Sequence, residues 1–197
     1  MNLYGRRRAI AKKKSLLPLE YQQVTWINGS SCIINLEYVP KENPTAIIEM
    51  ELTEQGDRDI MGFNENLYPS FIINPSSYTW YNRYGSTSAT NLAHPPQYNV
   101  KEVWEFGRIV KHNGIAINSY PDNIDWSTNT QRFRLFGARN QHAGMKVWYF
   151  QLYDGESLVR DLIPCYRKAD DVIGMYDLIS NAFYVSSVGT FTKGPNV

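Results

Sequence analysis

Residues Met145 to Pro164, MKVWYFQLYDGESLVRDLIP, hold two alternating runs of apolar and polar side chains around Asp154, Gly155 and Glu156. A period of two is that of a β-strand, whose successive side chains point to opposite faces. Asp-Gly between two such runs signals a hairpin, because glycine takes a positive φ without steric cost. The stretch therefore predicts an antiparallel hairpin with Phe150, Leu152, Leu158 and Leu162 turned to a core. Arg160 falls on the second strand, which is expected to turn at Pro164, where a ladder would lose a donor.

The same pattern extends in both directions. Downstream, DDVIGMYDLISNAFY (170–184) reads as a strand, a turn at Ser180 and Asn181, and a final strand. Asp161, Arg167, Lys168, Asp170 and Asp171 are then strand-edge and turn residues that keep the rim soluble. Upstream, TQRFRLFGARN (130–140) sets Phe133 and Leu135 opposite Arg132, Arg134 and Phe136, and Asn113-Gly114 marks a second hairpin. TAIIEMELTE (45–54) puts Ile48, Met50 and Leu52 on one side and Glu49 and Glu51 on the other. Shorter strand-like pieces, RDIMGF, SFIIN and YTWYNRY, fill the middle, and 85–97 is the longest loop. Outside the N-terminal segment no stretch of useful length carries apolar residues at helical spacing. About a dozen short strands separated by polar turns predict an all-β, two-sheet antiparallel β-sandwich of the jelly-roll kind.

With 197 residues the chain suits one such domain. Six of the 20 basic residues and none of the 19 acidic ones lie in residues 1–14, so the remainder carries 14 bases against 19 acids. Residues 1–16 are read as a short basic arm and 17–197 as the sandwich. Tyr4, Arg6, Arg7, Arg8, Lys12, Lys13 and Lys14 are the arm's candidate partner-binding residues. These charges could bind nucleic acid, while the interleaved Leu3, Ala9 and Ile10 suit docking on an acidic protein groove, the reading that the resemblance given below favours over nucleic acid. Cys32 and Cys165 form no CxxC or Cys/His cluster and are expected as buried free thiols. No run approaches the roughly 18 apolar residues of a membrane span, and SLLPLE is broken by Pro18 before it can form a signal-peptide core. The expectation is a protein made in the cytoplasm, with no membrane partner.

Three blocks carry a resemblance. LPLEYQQVTWINGSSCIINLEYVP (17–40), RFRLFGARN (132–140) and the segment VWYFQLYDGESLVRDLIPCYRKADDVIGMYDLISNAFYVSSVGTFTKGP (147–195) resemble sequences in a group of phage and prophage proteins of gut bacteria. The resemblance implies a concanavalin A-like, laminin-G-like jelly roll and a role as a virion structural or adhesion protein, a head or tail fibre or a decoration module. Its implied partners are capsid, tail or fibre subunits, further copies of itself and host surface glycans. The chain departs from the group at NGSSCIIN (28–35), where many relatives carry a Thr-Gly-Thr-Gln-Tyr-Ile type of run.

The remaining motifs bear on catalysis, metal binding and sugar binding. Glucan hydrolases of this fold carry Glu-x-Asp-x-x-Glu on one strand, with a bulge that brings the outer carboxyls to one face. Glu49 and Glu54 have that spacing and define the alternative reading, a carbohydrate hydrolase, but Glu51 replaces the Asp and Thr53 an apolar residue. His94, His112 and His142 fall in loops or turns, and neither GxSxG nor a nucleotide-binding glycine motif occurs, so no enzyme activity and no cofactor are expected. Asp122, Asn123 and Asp125 lack EF-hand spacing and suit an Asx turn rather than a metal. Sugar binding is the stronger option. Trp80, Tyr81, Arg83 and Tyr84, with Asp122 and Trp126, offer rings for stacking and groups for hydroxyls close to loops.

Overall fold

The computed structural model describes residues 17–56, 58–63, 70–75, 80–85, 87–89, 92, 94–120, 124–138 and 141–197. The arm residues 1–16 lie outside the described residues. The first half of the chain supplies β1 (Tyr21–Gln23), β2 (Ile27–Gly29), β3 (Ile34–Asn35), β4 (Pro44–Leu52), β5 (Met61–Phe63), β6 (Ser70–Pro75), β7 (Trp80–Gly85) and β8 (Thr87–Ala89). There follow β9 (Lys101–Phe106), β10 (Ile109–His112), β11 (Ile115–Ser119), β12 (Phe133–Leu135), β13 (Gly137–Ala138) and β14 (Gln141–His142). The last are β15 (Met145–Asp154), β16 (Ser157–Arg167), β17 (Val172–Asp177), β18 (Ala182–Val185) and β19 (Thr192–Lys193).

Apart from β13 and β14, which pair with each other as a small separate ribbon, these strands divide between two antiparallel sheets with the core between them. The large sheet runs β11-β10-β9-β4-β15-β16-β17-β18, with β1 on β16, β2 on β15 and β19 on β2; the smaller one runs β3-β12-β5-β6-β7-β8. Ala46, Ile48, Met50 and Leu52 of β4 and Met145, Val147, Phe150 and Leu152 of β15 are buried on the inner face. Aromatic rings join the layers: Trp80 of β7 lies 4.7 Å from Trp104 of β9, and Phe133 of β12 lies 6.0 Å from Phe150. The expected two-sheet sandwich is the observed one.

Two hairpins follow the sequence closely. Asn113 and Gly114 join β10 to β11 with φ of 49° and 87°, the pair of positive angles a type I′ turn needs. The Asp-Gly hairpin forms as well, with Gly155 at φ 58°. The register slips between Leu152 and Tyr153, however, so Tyr153 faces Leu158 and Leu152 faces Arg160. Leu158 is left half-buried instead of joining the core.

Strand β16 does not turn at Pro164; it continues to Arg167. The proline is tolerated because a residue's N and O point to the same neighbour in an antiparallel strand. Pro164 O accepts from Val24 N at 3.0 Å, just before the β1 ladder begins at Gln23–Cys165, so its missing donor falls in the seam between β15 and β1. Phe136, expected beside Arg134 on the wet face, is buried: a φ of 68° breaks the alternation and packs its ring 4.8 Å from Phe191.

The charges of residues 160–177 split into two kinds. Arg167, at the end of β16, and Lys168, Asp170 and Asp171, in the turn that follows, occupy the rim. Arg160 and Asp177 are internal organisers. Arg160 donates from Nε and Nη2 to Leu36 O at 3.1 and 2.9 Å, its guanidinium lies 5.0 Å from the Tyr38 ring, and Asp177 Oδ2 is 3.5 Å away. Fully buried Asp177 accepts from the Asp161, Ile179 and Ser180 backbones, fixing the turn into β18. Asp161, expected on the rim, is half-buried, and burial raises its pKa.

A second buried carboxylate secures the segment before β4. Asp154 accepts from Tyr38 Oη at 2.9 Å, Lys41 N at 2.7 Å and Glu42 N at 2.8 Å. Replacing Asp154 with Ala leaves two backbone donors and a phenol without their acceptor and should cost roughly 3 kcal/mol in urea unfolding. Cys32 and Cys165 are buried and unbridged. Burial raises the Cys165 thiol to about 12, and Tyr38 and Tyr120 also to about 12, with the Asp154 bond adding at Tyr38. These groups hold their protons longer folded than unfolded, so their stabilisation is full below about pH 9 and fades as pH rises through 12. Urea midpoints should therefore fall steadily above about pH 9, and tyrosinate absorbance should lag behind that of free tyrosine until the protein unfolds.

Candidate functional site

The outward face of the large sheet carries side chains that the core does not use. On β4, Glu49 and Glu51 alternate with the buried Ile48, Met50 and Leu52 and point outward. Lys101 of β9 and Lys146 of β15 flank them in register, opposite Glu51 on either side. Lys101 Nζ reaches Glu49 Oε1 at 3.2 Å, and Lys146 Nζ reaches Glu51 Oε1 at 2.7 Å.

A bulge brings tryptophan to this surface. Val147 pairs with Met50 and Tyr149 with Glu49, so Trp148 is an extra residue on β15. Val147 and Phe150 are both buried inward, which leaves Trp148 and Tyr149 between them on the outer side, both half-buried. Lys101 Nζ stands 4.8 Å from the Trp148 ring centre. Next to it, Ile27 pairs with Val147 and Asn28 with Lys146, so Trp26 continues the outward row beside Trp148. Lys146 Nζ lies 5.4 Å from the Trp26 ring. The indole is seated on Gly194, where a Cβ would come within 2.7 Å of its Cε2 and Nε1.

The result is a strip of two half-exposed indoles, each with an ammonium beside its ring and a carboxylate partnering that ammonium. Indole faces accept the C–H faces of sugar rings, while ammonium and carboxylate groups donate to and accept from hydroxyls. The lysine–ring contacts are of the exposed kind, worth roughly 0.5–1 kcal/mol, so a ligand can displace them and take over the polar ends.

The residues singled out by sequence are not assembled into one site. Trp80 is fully buried and Tyr84 and Trp126 are 2% exposed; Trp80 packs on Trp104 and Tyr84 on Trp126 at 4.9 Å. Rings enclosed by the core have no face for a ligand, which corrects their reading as sugar-stacking residues. Tyr81 and Arg83 do point outward from β7 on the smaller sheet, half-buried, with Arg83 Cζ 5.7 Å from the Tyr81 ring. Asp122 and the arm residues lie outside the described residues. Glu54 is exposed beyond the end of β4, its carboxyl against Gly144, while Glu49 is engaged by Lys101; β4 runs against β9 without the bulge that would bring the two carboxyls to one face. His112 ends β10 with Nε2 2.8 Å from the buried Glu102, whose other oxygen accepts from Trp104 Nε1 at 3.2 Å. Among the described residues no three His, Cys, Asp or Glu side chains are grouped to hold a metal ion.

Sequence reasoning missed Trp26 and Trp148. The available signal was the Trp148-Tyr149 doublet, which interrupts strict alternation between Val147 and Phe150.

No protein-family model matches the chain, and no curated protein sequence matches it. Solved structures do. A Bacteroides ovatus protein for which carbohydrate binding has been suggested superposes with a TM-score of 0.56 at 11% identity, over 89% of this chain and 62% of its own. The chain thus spans less than two thirds of that structure. A galectin of Caenorhabditis elegans gives a TM-score of 0.41 at 11% identity over 65% of this chain and 94% of its own. A bifunctional GH43-CE protein of Bacteroides eggerthii gives 0.37 at 12% identity over 82% and 31%. At these identities the first likeness speaks to the jelly-roll fold alone, and the other two are too loose to add to it.

The Trp148 ring lies outside the core, so Trp148→Ala should cost under about 1 kcal/mol of stability. Trp104→Ala, in the core, should cost roughly 3–5 kcal/mol by the same chemical denaturation assay.

Proposed function

We propose that the protein is a non-catalytic carbohydrate-binding module whose contact surface is the Trp26–Trp148 strip. The observation that carries this reading is the bulge in β15. A sheet that needed only a core would keep Trp148 in register, whereas here an extra residue turns an indole outward between two ion pairs, and bulges commonly re-aim side chains at functional positions. The carbohydrate binding suggested for the Bacteroides ovatus protein agrees with it. The hydrolase reading loses its support, because Glu49 is tied to Lys101 and Glu54 sits past the strand end.

The resemblance of three sequence blocks to phage and prophage proteins suggests a setting for this module. It would act as an adhesion component of a phage particle, held by its basic N-terminal segment and presenting the sandwich to host glycans. Deleting residues 1–14 should then abolish incorporation into particles while the sandwich still folds; particles that retain the truncated protein would overturn the setting.

Affinity electrophoresis through gels containing soluble β-1,3-glucan, xyloglucan or galactomannan checks the binding itself. At least one polymer should retard the protein, Trp148→Ala and Trp26→Ala should each weaken retardation by about tenfold or more, about 1.4 kcal/mol, and no reducing ends should be released. Release of reducing ends, or retardation indifferent to both tryptophans, would overturn the reading.

A further inference from the structure

We propose that a third platform on the same face, built on Phe183, extends the strip, so that the module takes a single neutral polysaccharide chain lying across the large sheet. This rests on the carbohydrate reading above and deepens it by naming the ligand's form and charge.

The platform lies at the far edge of the outer face. Leu162 is buried inward on β16, so Asp161, Ile163, Cys165 and Arg167 point outward by alternation. Ile163 pairs with Tyr176, and Tyr176 with Phe183, which places both rings on that same side. Phe183 lies across Gly174, where a Cβ would meet its Cζ and Cε2 at 2.9 and 3.0 Å. Tyr21 joins it with ring centres 4.9 Å apart and covers Tyr176 at 5.0 Å, leaving Tyr176 only 5% exposed. Tyr176 is thus the floor, with Phe183 and Tyr21 half-exposed above it.

At its rim the first two platforms' chemistry recurs. The Arg167 guanidinium stands 5.7 Å from the Phe183 ring. It grips Asp170 with two bonds, Nε to Oδ1 at 3.0 Å and Nη2 to Oδ2 at 2.7 Å. Both side chains remain accessible, at 40% and 45% exposure. Ion pairs so exposed contribute little to stability. Ring, cation and carboxylate therefore occur three times on one face: Trp148 with Lys101 and Glu49, Trp26 with Lys146 and Glu51, and Phe183 with Arg167 and Asp170.

Two properties of the ligand follow. Each platform has one positive and one negative charge, so none selects an ionised sugar, and the matching ligand is neutral. Sheets twist on average by about 20–25° at each strand step, so strands as far apart as β15 and β18, three steps, are expected to differ by roughly 60–75°. A flat crystalline polymer face cannot lie on all three platforms, whereas one flexible chain can follow the twist.

The test uses the full chain in calorimetric titrations with the disaccharide, the hexasaccharide and the polymer of β-1,3-glucan, xyloglucan and galactomannan, with heparin as the anionic probe. The hexasaccharide of the glycan that binds should exceed its disaccharide in affinity by about tenfold or more. Phe183→Ala should remove that gain and leave the disaccharide unchanged, and Trp148→Ala should lower both. Asp170→Asn, at an exposed turn, should reduce the gain without burdening folding, so the proposal survives a Phe183 variant that fails to fold. Loss of affinity in Trp148→Ala alone, with the length gain intact in Phe183→Ala and Asp170→Asn, overturns the third platform and spares the carbohydrate reading. Tighter binding of heparin than of every neutral glycan overturns the neutral ligand. Indifference to Trp148 defeats the carbohydrate reading itself and this proposal with it.

Discussion

Strand β15 has one residue more than β4 at the level of Glu49, and the large sheet is arranged around that excess. Below the bulge β15 pairs with β2; above it β15 pairs with β16. Beyond Leu162, β16 parts from β15 and takes β1 as its neighbour instead, so the consecutive strands β1 and β2, one on β16 and the other on β15, enter between them. The same displacement that opens this seam swings Trp148 outward and brings Trp26 beside it. Architecture and candidate site share one local cause, because a bulge both bends a ladder and redirects a side chain.

Around that seam the fold depends on a few buried polar groups more than on its rim charges. The Leu36 carbonyl accepts from Arg160 and from Tyr184 Oη at 3.2 Å, which ties the segment after β3 to β16 and β18. Ser187 N donates to Ile33 O at 2.8 Å and closes the same corner between the sheets. Asp154 and Asp177 each collect several donors, so their desolvation is offset. By contrast Glu49–Lys101, Glu51–Lys146 and Arg167–Asp170 sit where water competes, and they are available for work other than stability.

Much of the architecture was legible because alternation is set by the pleat itself. The hairpins at Asn113-Gly114 and Gly155, the wet and dry faces of β4, and the strand–turn–strand from Val172 to Val185 all follow from period two and turn chemistry. Alternation cannot say which of its two faces is inner, and that is why the site reading failed at β7: Trp80 and Tyr84 share one face and Tyr81 and Arg83 the other, and only packing against Trp104 and Trp126 decides between them. Phe136 and Leu158 were misplaced for a related reason. A positive φ or a single slip of register inverts the pattern locally, and neither leaves a mark in composition. Trp26 and Trp148 escaped notice because their proximity is created by the pairing of β2 with β15, more than a hundred residues apart in the chain.

The pairing of residues 23–28 with residues 192–197 has a kinetic side. Residues Thr192 and Lys193 pair with β2, Asn196 bridges to Val24, and Val197 N donates to Gln23 O at 3.1 Å. The seam beside Trp26 is therefore sealed by contacts between residues far apart in the chain, the kind whose loop-closure entropy must be met before any enthalpy returns. The sheet waits for residues 192–197 before this seam can close, so folding is expected to be slow, with the Trp26 platform among the last parts to set.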